Sequence, residues 1–234
     1  MNIRYGNGLS FALLFSVATL SSAANRPAAQ TAPPEMQARV RANYIKLPLS
    51  FEENRGQSDA RIKFLSQGSD YSILLAPSEV MLNVQSAGKA RHRSTLRMGF
   101  VGANASPVMS GSERQSAISS YFLGNNPAKW VTGATNFARV HYGELYPGVD
   151  LVFYGSQGRL EYDFVVAPGA DPKAIRLAFD GADSMRVDRA GDLVVSTAAG
   201  EVRQHKPIVY QESGGVRQTL AGRYVLEAHN RIAF

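Results

Sequence analysis

The chain contains no cysteine among its 234 residues. Disulfides, thiolate metal sites and a lipid-modified N-terminal cysteine are therefore excluded. Small exported proteins often depend on disulfides because their cores are small. This chain is 44% hydrophobic, and at its length burial alone can supply a stable core.

The sequence also lacks a clear transmembrane helix. The apolar segment Leu9–Leu20 is too short to span a bilayer, which takes about 20 residues. Arg4 precedes it and the small residues Ser21–Ala24 follow it, an order typical of a secretory signal peptide. We therefore predict a cleaved signal peptide over residues 1–24, no membrane span, and a secreted, periplasmic or cell-surface location. A short amphipathic helix packed on the domain is the alternative.

Familiar catalytic and nucleic-acid-binding signatures are missing as well. The 4 histidines show no zinc-ligand spacing, and no Gly-x-Ser-x-Gly nucleophile occurs in a strand-turn-helix setting. The net charge of +6 comes from basic residues scattered among acidic ones, and such an excess affects solubility more than function. We predict no nucleic-acid partner.

What the sequence does contain is a series of short apolar runs separated by turn residues. In Glu79–Val84, for example, Val80, Leu82 and Val84 fall on one face of a strand. Apart from a single turn at Asp171-Pro172, no helix is indicated after residue 50. This pattern predicts an all-β fold, an antiparallel two-sheet sandwich or open barrel.

The predicted organisation has three parts. Residues 1–24 form the signal peptide and residues 25–50 a linker rich in alanine and proline. Within this linker, Glu35–Tyr44 predicts a short peripheral helix because its apolar residues recur every four positions. Residues 51–234 form the β domain.

Several segments of that domain occur in a characteristic order: Phe51–Gln57, Leu96–Asn104, Tyr121–Trp130, Tyr146–Tyr154, Leu160–Asp171, Gly191–Val194 and Pro207–Gln211. Together they resemble an uncharacterised bacterial exported domain that precedes β-propeller (SBBP) repeats. The resemblance implies a surface-associated or exported module without an assigned activity, so it supplies no catalytic residues. No such repeats follow here, so we expect a truncated copy or a module that works alone or with a separate partner. The strand-like residues Arg231–Phe234 predict an exposed, unpaired strand edge.

The stretch Tyr142–Pro172 contains five carboxylates, three of which lie in two strand-like runs. Its runs Val149–Tyr154 and Arg159–Val166 are joined by Gly155–Gly158, which predicts a β-hairpin with a four-residue loop. The fold class depends most on this stretch, and so does the search for a site.

Symmetrical closure of this hairpin places Asp150, Glu161 and Asp163 on one face, with Asp150 directly opposite Asp163. Because opposed like charges destabilise a strand pair, three explanations are open. The carboxylates are solvated or paired with arginine; or they bind a cation, for which calcium is suited; or they form an acid–base couple of the kind that cleaves glycosides. We treat Asp150, Glu161 and Asp163 as candidate metal ligands and assign no catalytic residue.

Three aromatic residues lie beside the turn Gly124–Pro127. Tyr121, Phe122 and Trp130 either form a platform that binds a sugar or close one end of the core. We treat them as candidate ligand-binding residues.

The function predicted from these features is non-enzymatic. We expect an exported or cell-surface interaction or structural module that normally presents or supports a β-propeller repeat array, with a protein or a surface polysaccharide as its partner. The alternative is a carbohydrate-active enzyme or a cation-dependent glycan-binding module that uses Asp150, Glu161 and Asp163. The oligomeric state is not predicted.

Overall fold

The computed structural model describes residues 9–17, 49–68, 70–86, 92–156, 158–213 and 215–234, with residues 9–17 described by their backbone alone. Nearly all regular structure in these residues is β, and all strand pairs are antiparallel. The predicted all-β, sandwich-like fold is therefore confirmed. The predicted helix Glu35–Tyr44 lies outside the described residues, as does most of the linker.

The strands are β1 (Leu9–Val17), β2 (Phe51–Glu53), β3 (Phe64–Gln67), β4 (Tyr71–Leu75), β5 (Glu79–Gln85), β6 (Arg93–Phe100), β7 (Val108–Tyr121), β8 (Val131–Tyr146), β9 (Val149–Ser156), β10 (Arg159–Val166), β11 (Leu177–Asp180), β12 (Ser184–Val187), β13 (Leu193–Thr197), β14 (Gly200–Gln204), β15 (Ile208–Ser213), β16 (Val216–Leu220), β17 (Val225–Glu227) and β18 (Arg231–Ala233). Two short 3-10 helices, Pro127–Lys129 and Pro172–Ala174, are each capped by the preceding side chain. Asn126 and Asp171 accept the capping hydrogen bonds, both at 3.0 Å.

Two meanders, β2–β6 and β7–β10, make up most of the larger sheet. Strand β8 joins them, because Phe137 pairs with Phe51 of β2 on one edge and with Arg114 of β7 on the other. β11 extends the first meander by pairing with β6, and β18 follows β11. Strands β12, β13 and β14 form a smaller meander of their own.

One hydrophobic core is shared by both sheets. Leu193, Val195 and Val202 of the smaller sheet belong to the same cluster as the buried aromatic residues of the larger sheet. Tyr142, Phe153, Tyr162 and Phe164 form a chain of ring contacts with centroids 5.4–5.8 Å apart. In β5, Val80, Leu82 and Val84 are buried and their neighbours less so, as the alternation predicts.

The predicted register of the β9–β10 hairpin is wrong by two residues. Ser156 pairs with Arg159, so the two paired strands are only two residues apart in sequence. Two-residue loops match the twist of the strands, and Gly158 has the positive φ, 75°, that such turns require. Asp163 therefore stands opposite Val152, and Asp150 opposite Val165. A shift of two residues leaves each side chain on its predicted face.

The predicted open edge at Arg231–Phe234 is also wrong. Ile232 pairs with Leu226 of β17 on one side and Leu177 of β11 on the other. Its side chain is fully buried. Composition alone indicated a strand here, but not that two neighbours flank it.

The backbone of Leu9–Val17 forms β1, which lies between β10 and β15 and runs antiparallel to both. Its last residues, Phe15–Val17, continue beside β14. Cleavage of the predicted signal peptide, residues 1–24, would remove β1. That cleavage stays a prediction. Within the described parts of the chain, no helix has the length and apolar character to cross a membrane.

Candidate functional site

Two of the three predicted carboxylates meet on one face of β10. Tyr154 stands opposite Glu161 in the hairpin register, and its hydroxyl donates a hydrogen bond to Asp163 Oδ1 at 3.0 Å. The guanidinium of Arg139 on β8 lies 4.9 Å from the centre of the Tyr154 ring and pairs with Glu113 at 2.7 Å. This face carries charges of both signs around one tyrosine.

The environment of Asp163 favours its protonated form. Burial raises the pKa of Asp163 to about 6, and the nearby Glu161 carboxylate adds to the rise. The Tyr154 hydrogen bond and the positive charges of Arg139 and Arg217 lower the same pKa and offset part of the effect. Burial also raises the pKa of the Tyr154 hydroxyl well above its usual range, with Asp163 as the second cause. Asp163 therefore titrates closer to neutral pH than an ordinary aspartate.

Asp150 has a different role. Its Oδ1 accepts a hydrogen bond from the backbone N–H of Glu144 at 2.7 Å. Glu144 has a positive φ, 51°, and lies where the β8–β9 register shifts, between Tyr142 and Tyr146. The carboxylate thus supports a bulge in β8. Among the residues described, no group of three or more histidine, aspartate or glutamate side chains is arranged to hold a metal ion, so the cation prediction now depends on Glu161 and Asp163.

A serine–histidine pair on the same sheet was not predicted from the sequence. Ser112 Oγ on β7 and His141 Nε2 on β8 are 2.8 Å apart. Burial and the charge of Arg139 lower the pKa of His141, while Asp150 and Glu113 raise it. The two residues are far apart in sequence and no motif links them, so only knowledge of the β7–β8 pairing would have shown that they meet.

The aromatic candidates lie at the turn between β7 and β8. Phe122 is 63% exposed, Leu123 65% and Trp130 38%, and we call these three residues the aromatic tip. The rings of Phe122 and Trp130 are nearly perpendicular, with centroids 5.2 Å apart. Trp130 Nε1 donates to the carbonyl of Gly124 at 3.1 Å, which holds the indole in place. The alternative in which these rings close the core is wrong.

Tyr121, the third aromatic candidate, points elsewhere. Its hydroxyl donates a hydrogen bond to Glu52 on β2. Burial and the Glu52 carboxylate raise its pKa above the usual range of a tyrosine. Tyr121 therefore ties β7 to β2, while Phe122 and Trp130 remain available at the turn.

A groove of about 220 Å³ lies elsewhere, lined by Glu53, Asn54, Lys63, Phe64, Pro77, Pro107 and Met109. Its lining includes one carboxylate, that of Glu53, and neither Glu161 nor Asp163. The groove therefore lacks the pair of converging carboxylates that glycoside cleavage uses.

The family model for a domain of unknown function, DUF7948, matches residues 51–234, the span predicted for the β domain. No curated protein and no solved structure matches the chain.

Proposed function

Because the chain belongs to the DUF7948 family, whose domain has no assigned function, we propose its role from the surface: an exported, non-enzymatic interaction module that binds its partner through the aromatic tip. The observation that carries this proposal is the exposure of Phe122, Leu123 and Trp130 at a single turn. The partner is a protein or a surface polysaccharide.

The physical argument concerns the cost of exposed aromatic surface. Large apolar side chains grouped on a surface mark interaction sites more often than isolated ones do. Tryptophan and phenylalanine give much contact area with few rotatable bonds, so they lose little conformational entropy on binding. The hydrogen bond from Trp130 to Gly124 and the contact between the two rings already fix the platform in the unbound protein.

The proposal includes a place for the module in larger proteins. Where β-propeller repeats are attached, the module presents or supports them at the cell surface, as the resemblance of its sequence segments implies. A rigid sandwich with an aromatic turn suits this role, because it can hold a partner while the repeats extend away from it.

The test uses Trp130, which is the only tryptophan in the chain and so reports on the tip alone. The exported protein is titrated with solubilised peptidoglycan and with lipopolysaccharide while the Trp130 emission is recorded. We expect a saturable shift in emission with one of them, and at least about tenfold weaker binding for Phe122→Ala, the loss typical of a central aromatic contact.

The matched control is Val216→Ala, which truncates a residue that is 70% exposed on β16. This variant should bind like the wild type. Saturable binding that Phe122→Ala leaves unchanged would contradict the proposed role of the tip.

A second candidate is a carbohydrate-active enzyme that uses Glu161 and Asp163, with Asp150 nearby. The observation that favours it is the position of Glu161 and Asp163 on one face, with Tyr154 opposite Glu161 and hydrogen-bonded to Asp163 at 3.0 Å. Burial raises the pKa of Asp163 to about 6, as a general acid in glycoside cleavage requires. Release of reducing sugar by the wild type, lost in an Asp163→Asn protein that still unfolds cooperatively at or above the wild-type melting temperature, would support the enzyme. No release by either protein would favour the interaction module.

A further inference from the structure

Strands β10 and β15 lie in the same sheet and are separated by one strand, β1. β1 runs antiparallel to both, so β10 and β15 are parallel to each other and are not themselves paired. Their other edges are taken by β9 and β16. Two inter-strand spacings separate them, about 9.5 Å. We call this space the strand slot.

The walls of the strand slot are part of the core. Tyr162 and Phe164 of β10 are fully buried, and Val209 of β15 is 5% exposed. Natural edge strands are usually short, or protected by proline, lysine or a bulge. β10 pairs with β9 along eight consecutive residues, without a register shift. An uncovered second edge on such a strand presents a row of backbone N–H and C=O groups without strand partners, which is a template for pairing with another chain.

The segment that fills the slot lies outside the matched domain. The family match covers residues 51–234, whereas β1 is Leu9–Val17, within the predicted signal peptide. If export removes residues 1–24, β10 and β15 each lose the neighbour on this edge and keep β9 and β16 on the other. The domain then has to be completed from elsewhere.

We propose that the strand slot of the exported domain accepts an extended apolar segment of another polypeptide, which binds as a strand between β10 and β15. This inference depends on the export proposed above and adds a second binding surface, remote in sequence from the aromatic tip. Completion of a sheet by a strand from a partner is an established mode of recognition, in which the backbone gives affinity and alternate side chains give specificity.

The register of β1 defines the chemistry of the partner. The backbone of β1 aligns positions 9, 11 and 13 with Val166, Phe164 and Tyr162 of β10, which are buried, and position 12, an alanine in the sequence, with Asp163. Residues opposite each other on paired strands share a face. The partner segment therefore has apolar residues at alternate positions over at least six residues and a small residue opposite Asp163. It has no proline in its interior, because proline cannot donate to the ladder.

The test uses the exported protein and a fluorescein-labelled peptide with the sequence of Leu9–Val17 and added lysines for solubility. We expect saturable binding, and hydrogen-exchange protection of β10 and β15 amides that appears only with the peptide. A matched peptide carrying Phe11→Pro should bind at least about tenfold more weakly, since it loses ladder hydrogen bonds. The unprocessed full chain should also bind weakly, because its own β1 fills the slot.

Two protein variants localise the binding. Val209→Asp alters a wall of the slot and should abolish binding, while Val216→Asp on the exposed part of β16 should not. The hydrogen-exchange measurement on the wild type keeps the test valid if Val209→Asp does not fold.

Protected β10 and β15 amides in a peptide-free monomer, together with no peptide binding, would overturn the proposal. Protection in a dimer would also overturn it, since a second copy would then complete the sheet. The mass of the exported protein tests export separately: retention of residues 1–24 contradicts the signal peptide and not the slot. In that case, a protease site is inserted within residues 25–34 of the full chain, and cleavage there separates β1 from the domain. The measurement is then whether the labelled peptide replaces the cleaved β1 in the strand slot.

Discussion

Asp163 shows how a single side chain couples this fold to pH. Its carboxyl group is half-buried and accepts a hydrogen bond from Tyr154, with Glu161 on the same strand and Arg139 and Arg217 nearby. Burial disfavours the charged form most, so its folded pKa is about 6, against about 3.9 in an unfolded chain. The folded protein therefore binds this proton more tightly than the unfolded chain does.

The first prediction follows from the sign of that shift. Ionisation of Asp163 costs stability progressively as the pH rises from about 4 to about 6, and the full cost is present above that window. Asp163→Asn should change the free energy of unfolding little at pH 4 and raise it by up to about 3 kcal/mol at pH 7. Urea unfolding of both proteins across this range measures the difference.

A companion variant tests the cause. Tyr154→Phe removes the hydrogen bond that lowers the Asp163 pKa, so the pH window of the effect should move upward. A difference between wild type and Asp163→Asn that is the same at every pH would contradict the assignment.

At the scale of the element, pairing decides what local sequence does not. β7, Val108–Tyr121, is mostly polar and exposed, and it follows β8 along nearly its whole length with two register shifts. Along its sequence, polar and apolar residues do not alternate as they do in a strand with one buried face. It is a strand because β8 offers it a continuous edge.

The turn after β11 provides the second prediction. Gly181 has φ 82°, and an added Cβ would meet the backbone carbonyl of Thr95 on β6. Gly102 has a similar φ, 71°, with open space around it. Gly102→Ala should cost about 1–2 kcal/mol, the strain of a left-handed residue. Gly181→Ala should cost about 1–3 kcal/mol more, the usual cost of overpacking, and urea unfolding compares the two. Equal losses would show that the turn relaxes away from β6.

Sequence reasoning succeeded here where a local rule was sufficient. Alternation identified the buried face of β5, and Asp171-Pro172 identified the capped turn. It failed on the β9–β10 register, because loop length follows from how far each strand pairs, and Ser156 belongs to β9. Residue types identified Phe122 and Trp130 of the aromatic tip but not Leu123, and they wrongly grouped Tyr121 with them. The exposure of these side chains depends on where the β7–β8 turn lies relative to the core.

At the scale of the whole molecule, a large hydrophobic cluster that both sheets share stabilises a chain without cysteine, beside a small second cluster of Ile62, Leu65 and Ala76. Its large fully buried side chains come from both meanders, Phe51 and Ile73 from β2–β6 and Tyr142, Phe153 and Tyr162 from β7–β10. The smaller sheet packs on the same cluster. We expect the domain to unfold as one cooperative unit for this reason.

The third prediction concerns calcium and the whole domain. Asp150 lies on the same face as Glu161 and Asp163, but its carboxylate already accepts a hydrogen bond from the β8 bulge. Calcium binding usually needs six or more oxygen ligands. We therefore expect the same melting temperature in millimolar calcium as in EDTA. A rise of several degrees that Asp163→Asn abolishes would show that the carboxylates do bind the ion.

The pairing of β6 with β11 also imposes an order in time. β6 ends at Phe100, and its partner β11 begins at Leu177. The ribosome adds only about 5–20 residues each second. Several seconds therefore pass between synthesis of β6 and synthesis of β11, and during this time the β11-binding edge of β6 has no partner strand. If the β2–β6 meander folds as it emerges, that edge is open to other chains throughout the delay. Transport of the chain unfolded would spare it this exposure, because β6 and β11 would then be released to fold together.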